Sequence, residues 1–167
     1  MTGRPTGSVV VMGVSGCGKT AVGQRLAGRL GVPFVDADDL HPPANVEKMR
    51  AGVPLDDADR APWLQRLNAR LREAAADREP IVLACSALKQ RYRDALAEGV
   101  PGLRFVHLAA SRAAIASRLA QRRHRYMPAS LLDSQFAALE APADSIVVDA
   151  EGPLEAVVDA AVRALAG

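Results

Sequence analysis

A chain of 167 residues that is 49% hydrophobic and 24% charged is long enough to bury a core and too apolar to stay disordered. Its formal charge of +2, without a long basic run, argues against nucleic-acid binding, and no apolar run approaches the ~20 residues of a membrane span. Two cysteines, Cys17 and Cys85, are too few for a disulfide framework or a cysteine metal site, and the polar start carries no secretory core, so one cytoplasmic domain over 1–167 is expected.

The first apolar run, over 8–12, reads as a buried parallel strand, and Val22, Leu26 and Leu30 lie at helical spacing before a Gly31 stop. A second short strand, over 33–36, ends in carboxylates. A polar stretch over 40–59 follows, with Pro42-Pro43 in tandem and a short helix around 45–50. Leu64, Leu67 and Leu71 mark one face of a longer helix that accepts Pro62 in its first turn. A third strand over 80–85 leads to a helix over 86–97. A fourth strand over 103–108 leads to a helix capped by Ser111 that carries Ile115 and Leu119. The cluster Arg122-Arg123-His124-Arg125 interrupts this rhythm, helix resumes over 131–139, and a fifth strand over 145–149 precedes a helix with Leu154, Val157, Val158, Ala161, Val162 and Leu165 on one face. Strands alternating with helices imply right-handed crossovers and a parallel sheet covered on both faces, an α/β fold.

Between the first strand and helix stands Gly13-Val14-Ser15-Gly16-Cys17-Gly18-Lys19-Thr20, which fits Gly-x4-Gly-Lys-[Ser/Thr] at every specified position. Strand, loop and helix together are what a phosphate-binding loop (P-loop) needs, because glycines let backbone N–H groups turn inward around phosphate oxygens at a helix N-terminus. A nucleoside triphosphate is therefore the expected ligand. Its contacts would run from Gly13, Ser15, Gly16, Cys17 and Gly18 through Lys19 and Thr20 to Ala21. Lys19 is expected on the β- and γ-phosphates and Thr20 on Mg²⁺.

Parallel sheets bind ligands beyond the carboxyl ends of their strands, where Asp36, Asp38 and Asp39 fall. One of these carboxylates can hold the water shell of a magnesium ion while a neighbour accepts the proton of an attacking hydroxyl; the alternative is that they are turn and capping residues. Only Lys19, Lys48 and Lys89 among the 21 basic residues are lysine, which marks the latter two as further positions of interest. His41 follows the carboxylates and is a candidate for the acceptor pocket, with Arg60, Lys89 and Arg93 as its cations; Lys48, Ser86 and Arg125 complete the expected acceptor set. Arg118 and the cluster at 122–125 have the composition of a lid, over about 119–135, closing on the transferred phosphoryl group with Arg122 as a catalytic cation. Cys17 reads as a small filler or a redox-sensitive thiol.

Several blocks together carry a narrower signal: the P-loop, Asp36-Ala37-Asp38-Asp39-Leu40-His41-Pro42, Asn45-Val46-Glu47-Lys48-Met49, Pro54-Leu55 through Asp59-Arg60-Ala61-Pro62-Trp63-Leu64, Cys85-Ser86-Ala87-Leu88-Lys89 through Tyr92-Arg93-Asp94, and Met127-Pro128 through Leu139-Glu140. In these the chain closely resembles the small bacterial gluconokinases, from the first strand to the last helix. The resemblance implies a fold similar to shikimate and nucleoside monophosphate kinases, with a five-stranded parallel sheet ordered 2-3-1-4-5 and a mobile lid. It implies ATP-dependent phosphorylation of the terminal hydroxyl of D-gluconate to 6-phosphogluconate, feeding the pentose phosphate or Entner–Doudoroff routes. By the same likeness Asp36 supports magnesium, Asp38 orients or deprotonates the acceptor, and Arg60 holds the substrate carboxylate. Arg118 and Arg122 match nucleotide and lid arginines, and the segment 149–154, with Gly152 and Pro153, matches the adenine-binding edge. Members are commonly homodimers. Two departures stand out: His124-Arg125-Tyr126-Met127 occupies the place of the family's Gly-His-Phe-Met, and Asp36-Ala37-Asp38 that of Asp-Gly-Asp. A kinase for another small hydroxy acid or a nucleotide, and a nucleotide-binding module with slow hydrolysis, are the rival readings.

Overall fold

The computed structural model of the chain describes residues 5–121, 129–142 and 145–167. The first apolar run forms β1 (Val9–Met12), and the helix behind the glycine-rich loop is α1 (Lys19–Leu30). Then follow β2 (Phe34–Asp36), a 3₁₀ turn (Ala37–Leu40), α2 (Pro43–Arg50), α3 (Asp57–Asp77), β3 (Val82–Ala84) and α4 (Gln90–Ala97). The chain closes with β4 (Arg104–Ala109), α5 (Arg112–Ala120), α6 (Ala129–Ala138), β5 (Ile146–Asp149) and α7 (Leu154–Ala166). All pairings are parallel and the sheet order is β2-β3-β1-β4-β5, as the resemblance implied. No helix among the described residues is long and apolar enough to cross a membrane.

Every residue of β1 is buried, because alternate side chains feed two separate cores. Val9 and Val11 pack with Leu26 of α1 and Val158 of α7. Val10 and Met12 face the other way, onto Leu67 and Leu71 of α3 and Leu96 of α4. With β1 central, the neighbours of its carboxyl end are Ala84 of β3 and His107 of β4, and the chain leaves the sheet there in opposite directions on either side. That is the switch point at which a doubly wound sheet opens a crevice.

Two helix starts differ from the sequence expectation. Helix α3 begins at Asp57, five residues before Pro62, because Asp56 and Asp59 form a reciprocal capping box: each side chain accepts the other's backbone N–H, at 2.7 and 3.1 Å. Pro62 therefore stands in the second turn, on the exposed side, where its ring meets solvent. Helix α4 begins at Gln90 and not at residue 86. Ala87 has φ 45°, a left-handed conformation that no helix accommodates, so residues 85–89 form a loop at the carboxyl end of β3.

Candidate active site

The P-loop wraps the N-terminus of α1 and is shaped by steric exclusion. Gly13 has φ 150°, and a Cβ there would sit 2.7 Å from Cys17 Sγ and 2.9 Å from the Leu108 carbonyl. A Cβ on Gly16, at φ 87°, would press on Ile115 and Leu119, so α5 lies directly over the loop. The Lys19 ammonium folds back to donate to the Gly13 and Val14 carbonyls at 3.0 and 3.2 Å. Ser15 is held from across the site: its N–H donates to Gln135 Oε1 at 2.6 Å, while Gln135 Nε2 donates to Ser15 Oγ at 2.8 Å. Cys17 is buried, and burial pushes its thiol above the ordinary range in spite of Lys19 and Arg118 nearby; Cys85, also buried, is pushed up to about 12. Burial of both thiols favours the filler reading of Cys17.

At the end of β2 the carboxylates divide their work. Asp36 caps the 3₁₀ turn, its Oδ1 accepting the Asp38 N–H at 3.0 Å, while its Oδ2 accepts the Thr20 hydroxyl at 3.3 Å. A hydroxyl and a carboxylate at the P-loop are hard oxygen donors of the kind magnesium takes. Asp38 is exposed, yet desolvation by the atoms around its carboxyl and the neighbouring Asp36 push it above the ordinary range, against the pull of His41 and Lys19.

His41 stacks on Trp63, with ring centroids 4.3 Å apart and planes 12° apart. Asn45 donates one amide hydrogen to the Asp59 carbonyl at 2.9 Å and the other to His41 Nδ1 at 3.2 Å, so the neutral imidazole carries its proton on Nε2. Burial lowers the His41 pKa, which favours that neutral form. The Trp63 indole donates to the Ala37 carbonyl at 2.7 Å, joining α3 to the carboxylate turn.

Beyond these residues opens a cleft of about 600 Å³, lined among others by Met49, Leu55, Arg60, Trp63, Ser86, Lys89, Tyr92 and Gln135. The structure thus brings Arg60, Ser86 and Lys89 together, three of the expected acceptor residues. Neither Arg60 nor Lys89 is paired with a carboxylate among the described residues. Asp38 and His41 adjoin the cleft through the Ala37–Trp63 and His41–Trp63 contacts and do not line it.

Two expected acceptor cations are used otherwise. Lys48 is ion-paired with Asp59, at 2.8 and 2.9 Å to its two oxygens, and ties α2 to the start of α3. Arg93 is 2% exposed. Its guanidinium donates to the Ala87 carbonyl at 2.6 Å, the Glu140 carbonyl at 2.8 Å and the Gln90 side chain. The space it borders is a different cavity of about 380 Å³, with Asp94, Leu103 and Arg104. Lys89 and Arg93 stand one helical turn apart, but the Arg93 guanidinium is taken inward by the Ala87 and Glu140 carbonyls.

Arg118 donates to the Cys17 carbonyl at 3.3 Å and to the Ala150 carbonyl, linking the P-loop to the 149–153 loop. That loop is pinned to the start of α5 by Glu151, which accepts the Ser111 N–H at 3.2 Å, and it leaves Gly152 and Pro153 exposed. Arg122 and Arg125, with the 122–128 part of the expected lid, lie outside the described residues. Tyr92 and Gln135 were not singled out from sequence. Both lie in the blocks that carry the resemblance, and nothing in their type points to a ligand until the fold sets them at the cleft.

A glycine-shaped phosphate loop at the switch point of a five-stranded 2-3-1-4-5 sheet, beside a cation-bearing cleft, defines a P-loop kinase. Residues 9–142 match the model of a family described as an AAA domain. A shikimate kinase from Aquifex aeolicus superposes with a TM-score of 0.64 over 96% of both chains at 18% identity, a likeness of fold alone. A gluconokinase from Sinorhizobium meliloti 1021 superposes with a TM-score of 0.89 at 47% identity, over 98% of this chain and 93% of that one. The gluconokinase of Gluconobacter oxydans is 49% identical over 158 residues, 93% of this chain and 89% of its own length. The thermoresistant gluconokinase of Escherichia coli is 42% identical over 160 residues, 93% and 91% of the two chains. The chain belongs to the gluconokinase family, within the P-loop group whose domain model it matches.

Proposed function

We propose that this protein transfers the γ-phosphoryl group of ATP to the terminal hydroxyl of D-gluconate, giving 6-phospho-D-gluconate and ADP. The observation that carries the reading is the pairing of a P-loop with a cleft whose Arg60 and Lys89 lack carboxylate partners among the described residues, in a chain of this family. A small polyhydroxy acid needs both features: cations for its carboxylate and hydrogen-bond partners for its hydroxyls.

In the reaction the loop N–H groups cradle the phosphates, and Lys19 exchanges the Gly13 and Val14 carbonyls for phosphate oxygens. Thr20 and Asp36 would hold magnesium, which when bound supplies charge neutralisation to the phosphates. No group of three or more His, Cys, Asp or Glu side chains among the described residues is arranged to hold a metal alone, so phosphate oxygens and water would complete its shell. Asp38 takes the proton from the gluconate O6 hydroxyl as O6 bonds to the γ-phosphorus and the bond to the ADP oxygen breaks. Its raised pKa makes it a better base than an ordinary aspartate. His41, neutral and held by Asn45 and Trp63, offers its Nε2–H to an acceptor hydroxyl. Arg118, Gly152 and Pro153 serve the nucleotide, and Arg122 and Arg125 the closing lid. A cytoplasmic homodimer is part of the same reading.

An acceptor panel in a coupled ADP-release assay tests it. Gluconate should be turned over far better than shikimate, other sugar acids or nucleoside monophosphates. A higher kcat/KM for any of these, or ADP release without dependence on an acceptor, would remove the assignment.

A further inference from the structure

Tyr92, in the first turn of α4, is the point on which the cations of the cleft converge. The Arg60 guanidinium lies over its ring at 5.7 Å from the centroid, and the Lys89 ammonium at 5.9 Å. Both distances fall within the reach of a cation–π interaction. Arg60 Nη1 also donates to the phenol oxygen at 3.3 Å, and the phenol O–H donates in turn to Asp57 Oδ1 at 2.7 Å. Asp57 is anchored from its other oxygen by Arg91, whose guanidinium sits over the same ring. The Tyr92 hydrogen bond, with Arg91, Lys89 and Arg60 nearby, holds the Asp57 carboxyl below its ordinary range, so the anchor stays charged.

The division of charge around this ring is uneven. Arg91 has a carboxylate partner in Asp57. Arg60 and Lys89 rest on a π face instead, which orients a cation without neutralising it. Two long side chains that would otherwise sample many rotamers are therefore held toward the cleft with their charge still available to a ligand. We infer that Tyr92 is a positioning residue for acid recognition: its ring and hydroxyl hold Arg60 and Lys89 as a ready carboxylate receptor, and so set the preference for an acidic acceptor over a neutral polyol of the same length. The inference rests on the gluconokinase reading and adds the device that makes the cleft select an acid.

Steady-state kinetics of Tyr92→Phe and Tyr92→Leu, with gluconate and with the neutral six-carbon polyol D-glucitol, test it. Phe keeps the ring and loses the hydroxyl; Leu loses both. Tyr92→Phe should raise the gluconate KM about 3- to 5-fold, because the lost bond to the Arg60 guanidinium only orients that cation and its weight reaches the bound acid in part. Tyr92→Leu should raise it about 10-fold or more, as two cation–π contacts are lost as well. In both, kcat and the KM for ATP should stay within about twofold, and the acid-over-polyol ratio of kcat/KM should fall in step with the gluconate KM; all of these magnitudes follow from contacts made equally in ground and transition state. Thermal unfolding confirms that the variants are folded. Gluconate KM values like the wild type in both variants would overturn the inference, as would equal losses with acid and polyol. A wild-type protein that does not use gluconate would remove the functional reading by itself. The Tyr92 inference would then be decided by the same acid-to-neutral ratio for whichever acid the panel identifies.

Discussion

Replacing Arg93 with methionine keeps the aliphatic length of the side chain and removes a guanidinium that serves the fold. Two backbone carbonyls, those of Ala87 and Glu140, lose charged donors at 2.6 and 2.8 Å. Hydrogen bonds to a charged group are worth about 1.5–3 kcal/mol each, which gives a gross loss of about 3–6 kcal/mol. Release from the cost of burying a guanidinium offsets part of this, so a net loss of about 3 kcal/mol is expected. For a domain of this size that lowers Tm by about 6–12 °C. The loop that offers Ser86 and Lys89 to the cleft is pinned at Ala87, so some rise in gluconate KM will accompany the loss, as a consequence of loosening and not of a missing contact. Thermal unfolding followed by circular dichroism, beside gluconate kinetics well below Tm, measures both. An unchanged Tm with a gluconate KM raised tenfold or more would refute the reasoning, because the guanidinium would then be reaching the acid directly.

Asp38→Asn should lower kcat by about 10²–10⁴ while nucleotide affinity, measured by calorimetry with ADP, changes little. Because the Asp38 carboxyl is raised and acts as a base when ionised, kcat/KM of the wild type should climb with pH through an inflection above the ordinary aspartate range. The Asn variant should lack that inflection, and one that retains it would exclude Asp38 as the base. Gln135→Ala should tighten ADP binding about fivefold, because the Gln135 carbonyl occupies the Ser15 N–H that a phosphate oxygen would take, and one neutral hydrogen bond is worth about 1 kcal/mol. Unchanged or weaker ADP binding would show that the amide does not compete with phosphate.

The strands and most helices are legible because their signals are local. Alternate faces of 8–12 are both apolar, as a central parallel strand requires, and the spacing of Val157, Val158, Ala161 and Val162 predicts the buried face of α7. Helix starts are less legible where a cap or a strained residue decides them. The capping box at Asp56 and Asp59 moves α3 forward past Pro62, and the left-handed Ala87 delays α4. On the site the same contrast holds. The P-loop and the Asp36–Asp38 pair are short motifs whose residues act close to where they stand in the chain. Lys48, Arg93, Tyr92 and Gln135 act across 11 to 120 residues of sequence, and no spacing rule reaches that far.

The amino-acid sequence alone determined that this chain is an α/β P-loop protein, since glycine freedom, helical periodicity and the lysine of the loop are properties of neighbouring residues. Membership of the gluconokinase family was likewise legible in its ordered blocks. Which cations remain available was decided only in three dimensions. Lys48, Arg60, Lys89 and Arg93 are equivalent in charge, but an aspartate eleven residues further on neutralises the first, the carbonyl of a left-handed alanine takes the last inward, and one tyrosine ring holds the other two toward the cleft. Charge is written in the chain; whether it is spent on the fold or kept for a ligand depends on which partner the folded chain brings within hydrogen-bond distance.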